Sequence, residues 1–138
     1  MKITQVPWIE IPATNFKRAV LFYKSVFGFV FEYYEFNGRR HAVYKMNATL
    51  SIAIVEHKEI VFTGTGPLIY FKIDSDMSLI LESVVQYEGK IIQPKMLIRN
   101  TNSQGVSVIP KTLIDSKSGY FALISDSENH LLGLYSNS

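Results

Sequence analysis

Apolar positions along the chain follow two rhythms, and the change from one to the other marks the elements. Ile9 and Ile11 flank the polar Glu10, so Ile9–Ile11 reads as a strand in which Trp8, Glu10 and Pro12 share one face. Pro12 to Thr14 are expected to break that strand, because proline offers no amide hydrogen to a ladder. The rhythm then becomes helical. Phe16, Ala19, Val20, Tyr23, Val26 and Phe27 form one apolar stripe, with Lys17, Arg18 and Lys24 off it. Asn15 is placed to cap this helix and Gly28 to stop it in a left-handed conformation.

Strand-forming residues follow over Phe29–Phe36, Arg40–Met46 and Thr49–Val55. Asn37–Gly38, between the first two, predicts a tight hairpin, since both residues tolerate positive φ. Glu56 to Gly66 is polar and reads as a joint. The pattern then restarts. Leu68–Ile73 is a strand, and Ser75 or Asp76 caps a helix from Met77 to about Tyr87. Met77, Ile80, Leu81 and Val84 make its stripe, Gly89 stops it, and a strand begins at Lys90. Trp8 precedes Asn15 by seven positions, as Leu68 precedes Ser75. The chain is thus expected to repeat a strand–helix–strand–strand–strand unit. In the second copy Gln93–Ile98 is echoed by Ile109–Ile114, around a polar loop from Arg99 to Gly105 suited to a hairpin tip or flap. Tyr120–Ser125, a turn at Asp126–Asn129 and His130–Tyr135 complete it.

Composition narrows the function. The 138 residues suffice for one domain, with modules at about 5–57 and 67–136. A net charge of +2 with scattered basic residues gives no footing for nucleic acid. The absence of cysteine excludes disulfides, thiolate metal sites and cysteine nucleophiles. It is compatible with a reducing cytoplasm, where the protein is expected. The N-terminus lacks the apolar core of a signal peptide, and no apolar run is long enough for a membrane helix. No phosphate loop or nucleophile-elbow motif occurs.

Two segments, IPATNFKRAVLFYKSVFGF and GYFALISDSENHLLGLYS, together resemble the vicinal oxygen chelate superfamily, which includes glyoxalase I, extradiol dioxygenases and bleomycin-resistance proteins. The pattern A-x-x-F-Y-x-x-x-F-G (Ala19, Phe22, Tyr23, Phe27, Gly28) and the closing D-S-E-N-x-x-x-G-L carry the resemblance. A W-x-E-I-P start points to a small glyoxalase-like branch. The resemblance implies an α+β fold: two βαβββ modules forming an eight-stranded, partly open cup with helices outside. It also implies a homodimer.

The same resemblance places four metal-ligand positions, and in this chain they fall on Trp8, Leu68, Gly133 and a residue near Ala53. Indole nitrogen only donates, and leucine and glycine carry no ligand atom, so no metal and no other cofactor is expected. His41, His57 and His130 show no ligand spacing; Glu56 is the one carboxylate near an expected ligand strand. Glu10, with Tyr70 as its counterpart in the second module, is the candidate catalytic base or polar anchor. Trp8, Glu10, Tyr44, Tyr70, Tyr120 and Tyr135 are the candidate ligand-binding residues. The expected function is to bind a small organic molecule in an apolar-aromatic cup without metal. The alternatives are a lyase, isomerase or dioxygenase with displaced ligands or Glu10 as base, and a drug- or toxin-sequestering protein of the bleomycin-resistance type.

Overall fold

A computed structural model describes residues 1–59 and 65–138. Part of the expected joint, residues 60–64, therefore lies outside the described residues. The chain divides into two compact units, Met1–Thr63 and Gly64–Ser138.

Unit 1 contains β1 (Trp8–Ala13), α1 (Phe16–Phe27), β2 (Glu32–Phe36), β3 (Arg39–Lys45) and β4 (Ser51–Glu56). Its four-stranded sheet has the order β1-β4-β3-β2, with β1 parallel to β4 and the other pairs antiparallel. The helix forms where its stripe predicts. The Asn15 side chain accepts from the Arg18 amide at 3.1 Å. Gly28 takes the left-handed conformation at φ 69°, and the Phe29 amide reaches back to the Tyr23 carbonyl. Phe16, Ala19, Phe22, Tyr23 and Val26 are buried. An aromatic file runs on from there, with Tyr23 stacked on Phe29 and Phe29 on Tyr44. Asn37 and Gly38 both have positive φ, at 52° and 73°, as the tight hairpin requires.

Proline does not break β1. Pro12 lies within the strand, in register with Val55. Pro7 and Ala13 carbonyls accept from the Ser51 and His57 amides, so odd positions direct their polar groups to β4. Pro12, at an even position, turns its nitrogen away from β4, and no ladder bond is lost there.

Unit 2 contains β5 (Ile69–Lys72), α2 (Met77–Gln86), β6 (Lys90–Leu97), β7 (Asn100–Thr101), β8 (Ser107–Val108), β9 (Tyr120–Ser125) and β10 (Leu131–Ser136). Its main sheet has the order β5-β10-β9-β6, with β5 parallel to β10. This is the βαβββ unit again, with the β7–β8 hairpin set between its second and third strands. Asp76 rather than Ser75 caps α2, accepting from the Ser78 amide at 2.9 Å. Met77, Leu81 and Val84 are buried from α2. The helix ends at Gln86, and its left-handed stop falls one residue before the expected glycine. Glu88 adopts the left-handed conformation at φ 73°, while the Gly89 amide bonds the Val84 carbonyl at 2.8 Å. The echo of β6 at Ile109–Ile114 is not a strand; it runs into a turn at Leu113–Asp115. β10 starts at Leu131, one residue later than expected, because the His130 amide is held by the Asp126 side chain.

The fold is α+β: two βαβββ units, each with one helix and one open four-stranded mixed sheet. Among the described residues no helix is long and apolar enough to cross a membrane.

Candidate functional site

Strand alternation sorts each sheet into two faces. In unit 1, Ile11 and Ala13 are buried on the face that α1 covers, so Trp8, Glu10 and Pro12 stand on the other. There the Trp8 indole N–H donates to Glu10 Oε2 at 3.0 Å. Trp8 is 41% exposed and Glu10 is exposed as well. Glu10 is therefore an open carboxylate rather than an enclosed one. Its second oxygen makes no hydrogen bond among the described residues.

The registers extend this face across the sheet. Glu10 stands beside Ala53, Ala53 beside Val43, and Val43 beside Glu32. Val43, Ala53 and Val55 form a buried apolar cluster at its centre. Its far side is aromatic and polar. The Tyr34 hydroxyl donates to Glu32, a contact that raises the phenol pKa. Tyr34 stacks on Phe36, and Phe36 meets His41 edge-on. His41 Nδ1 lies 2.9 Å from the Arg39 carbonyl. A carbonyl only accepts, so Nδ1 is the donor.

Two predicted residues stand elsewhere in unit 1. Tyr44 pairs with Ile52 on the α1 face and stacks on Phe29 at 4.0 Å, apart from Trp8 and Glu10. Glu56 is also on the α1 face, opposite Ala13. Its carboxylate is held by Arg40 at 2.6 Å, and that bond keeps its pKa below the usual range. Arg40 in turn lies over the Phe16 ring.

In unit 2 the corresponding face carries Tyr70 and Lys72 on β5, and Gly133 and Tyr135 on β10. The Tyr70 ring lies over Gly133. A Cβ at position 133 would sit 2.6 Å from Tyr70 Cγ. The pair repeats what Glu10 and Ala53 do in unit 1: a large edge-strand residue beside a central-strand residue with little or no side chain. Tyr120 lies on the opposite face of β9, in line with Ala122 and Ile124, with Lys95 over its ring at 4.5 Å. It does not join Tyr70.

Tyr135 is fully buried, and its hydroxyl donates to Asp115 at 2.8 Å. Asp115 also accepts from Lys72 at 2.8 Å, Asn137 at 2.9 Å and the Lys117 amide at 3.1 Å. Thr112 lies 2.8 Å from the Tyr135 hydroxyl. These bonds fix the segment after β8 against β5 and β10. Sequence reasoning singled out Tyr135 but not Asp115. Its only signal was an acid in a turn-rich segment, which predicts solvent rather than a network.

Lys72 first, then Asn137 and Tyr135, hold the Asp115 carboxyl well below the usual carboxylate range, and Asp115 raises Lys72. A carboxyl with a depressed folded-state pKa adds stability that is complete above its unfolded value, near 3.8. That stability is lost as pH falls through the lower folded value. Asp115→Asn is therefore expected to lower the melting temperature at neutral pH, with the gap to wild type narrowing only below about pH 4. Melting curves of both proteins from neutral to acid pH check this. A gap that does not change with pH would remove the carboxylate charge from the account.

The four positions on which the resemblance set metal ligands have other surroundings in the structure. Trp8 donates to Glu10, Ala53 is buried, Leu68 precedes β5, and Gly133 lies under Tyr70. Among the described residues no three His, Asp or Glu side chains converge as metal ligands.

No protein-family profile and no curated protein matches the chain. Solved structures do. The fosfomycin resistance protein FosX from Listeria monocytogenes is 18% identical at a TM-score of 0.66, covering 99% of this chain and 94% of that one. A second FosX structure, holding Mn(II) and 1S,2S-dihydroxypropylphosphonic acid, is 15% identical at 0.64, covering 99% and 95%. A glyoxalase-related enzyme from Fulvimarina pelagi is 15% identical at 0.64, covering 98% and 89%. The two βαβββ units of this chain thus share the fold of the FosX and glyoxalase-related structures.

Proposed function

We propose that the chain binds a small organic molecule on the sheet face of unit 1 that carries Trp8 and Glu10, with no resident metal. One observation carries this reading. The Trp8 indole fixes one oxygen of Glu10 and leaves the other available beside a field of Val43, Ala53 and Val55. A carboxylate so placed accepts from an amine, hydroxyl or amide of the ligand, while the indole and the apolar field take its carbon skeleton. The fold neighbours support a ligand of this size, since one FosX structure holds a three-carbon phosphonic acid. Tyr70 serves the matching face of unit 2 as an aromatic contact. A twofold homodimer belongs to the same reading.

Trp8 is the only tryptophan, so its fluorescence reports on the site without a label. Titration with a panel of small amines, diols and aromatic acids is expected to give saturable quenching for one class. Glu10→Gln is expected to weaken that class about tenfold or more, the loss of one charge-assisted bond. Protein purified without chelator is expected to carry divalent metal far below one equivalent. The reading fails if binders are indifferent to Glu10→Gln. It fails equally if metal approaches one per chain and is lost on mutating Glu10 or Glu56.

A further inference from the structure

One corner of unit 1 holds a polar group with no hydrogen-bond partner among the described residues. Past its last paired residue, β4 keeps its course: the His57 amide still donates to the Ala13 carbonyl at 2.8 Å. The antiparallel register sets His41 opposite Val55, so two residues further Arg39 stands opposite His57. The left-handed Asn37–Gly38 turn brings Arg39 to that corner. The corner is hollow. A cleft of about 280 Å³ is lined by Gly38, Arg39, Glu56, His57, Lys58 and Glu59. His57 Nδ1 is buried and meets no hydrogen-bond partner among the described residues.

A buried polar atom without a partner is costly, and none of the described residues supplies one here. The surrounding charges say what kind of partner fits. Glu56 is already neutralised by Arg40 at 2.6 Å. Arg39 and Lys58 make no ion pair among the described residues, although Lys58 acts on Glu56 from a distance, so the cations Arg39, Arg40 and Lys58 outnumber the acids Glu56 and Glu59 at this corner. The cleft therefore favours a negative group able to accept from nitrogen donors.

We propose that this corner is an oxyanion site, in which a phosphate, phosphonate or carboxylate group accepts from His57 Nδ1–H between the Arg39 guanidinium and the Lys58 ammonium. The site is separate from the Glu10 region. Ala53, opposite Glu10, and His57 are four residues apart along one strand, a span of about 13 Å. It does not rest on the small-molecule reading above, and the two fail independently.

The test is titration of the full chain with inorganic phosphate, followed by NMR of the side chains of His41, His57 and His130. His57→Gln identifies the His57 resonances. At millimolar phosphate, with ionic strength held by chloride, the His57 resonances are expected to shift and saturate while those of His41 and His130 stay in place. Arg39→Ala is expected to abolish the shift, and Lys58→Ala to weaken it about tenfold. Acetate in place of phosphate tells whether the site takes carboxylates as well. Three results would each overturn the site: no movement of His57, a common unsaturable drift of all three histidines, or an unchanged response in a folded Arg39→Ala protein. Should Arg39→Ala lose its native amide spectrum, Arg39→Gln takes its place and the same criterion applies.

Discussion

Gly119→Ala is expected to destabilise unit 2 by about 2–3 kcal/mol, as overpacking of a closed site does. The backbone at Gly119 is not left-handed, so alanine meets no conformational penalty there. The cost is steric. A Cβ at 119 would lie 2.6 Å from Tyr135 Cζ and 2.7 Å from its hydroxyl. Tyr135 cannot give way, because it is 1% exposed and its hydroxyl is held by Asp115 and Thr112, each at 2.8 Å. Moving the ring would also break the bonds that fix the segment after β8. Urea unfolding measures the loss as a lower midpoint at unchanged slope. A change within about 0.5 kcal/mol, the size of an ordinary surface substitution, would show that the ring does not fill that space.

Gly133→Ala is expected to cost about 1–2 kcal/mol, and the cost depends on one other residue. The new methyl would displace Tyr70, a residue 44% exposed whose ring can swing out, so the loss is smaller than at Gly119. In a Tyr70→Ala background the same substitution is expected to be neutral or slightly stabilising, because alanine suits a strand interior better than glycine. The double-mutant cycle isolates the coupling. Equal costs in both backgrounds would mean that the ring does not cover Gly133. The arrangement also bears on chemistry. The resemblance set a final-strand ligand position at 133, and a carboxylate introduced there would collide with Tyr70 unless the tyrosine were removed too.

The fold was legible in the sequence wherever a local signal agreed with its surroundings. Asn15, Gly28 and the Phe16–Val26 stripe define α1 on their own, and Asn37–Gly38 defines its hairpin. Misreadings arose where a local rule met a partner it could not see. Pro12 reads as a breaker, yet its nitrogen faces away from β4 and the strand continues. Gly89 reads as the helix stop, yet Glu88 takes the left-handed conformation one residue earlier. At the candidate site, alternation correctly set Glu10 beside Trp8. It could not sort Tyr44 and Tyr120 from the others, because face depends on register with strands far along the chain. Nor could it find the Asp115 network, whose members are as far apart as Lys72 and Asn137.

The strand orders β1-β4-β3-β2 and β5-β10-β9-β6 have a consequence for how the protein is made. In each unit the last strand in sequence occupies an inner place, beside the first. Until β4 or β10 leaves the ribosome, the strands it will separate present bare hydrogen-bonding edges to the cell. Each sheet is completed in one late step, when its final strand slots between neighbours made earlier. In unit 2 that exposure lasts longer, because the β7–β8 hairpin and the segment behind it must be synthesised first. A chain interrupted before β10 would therefore display two open strand edges, which is the form of this protein most prone to aggregate.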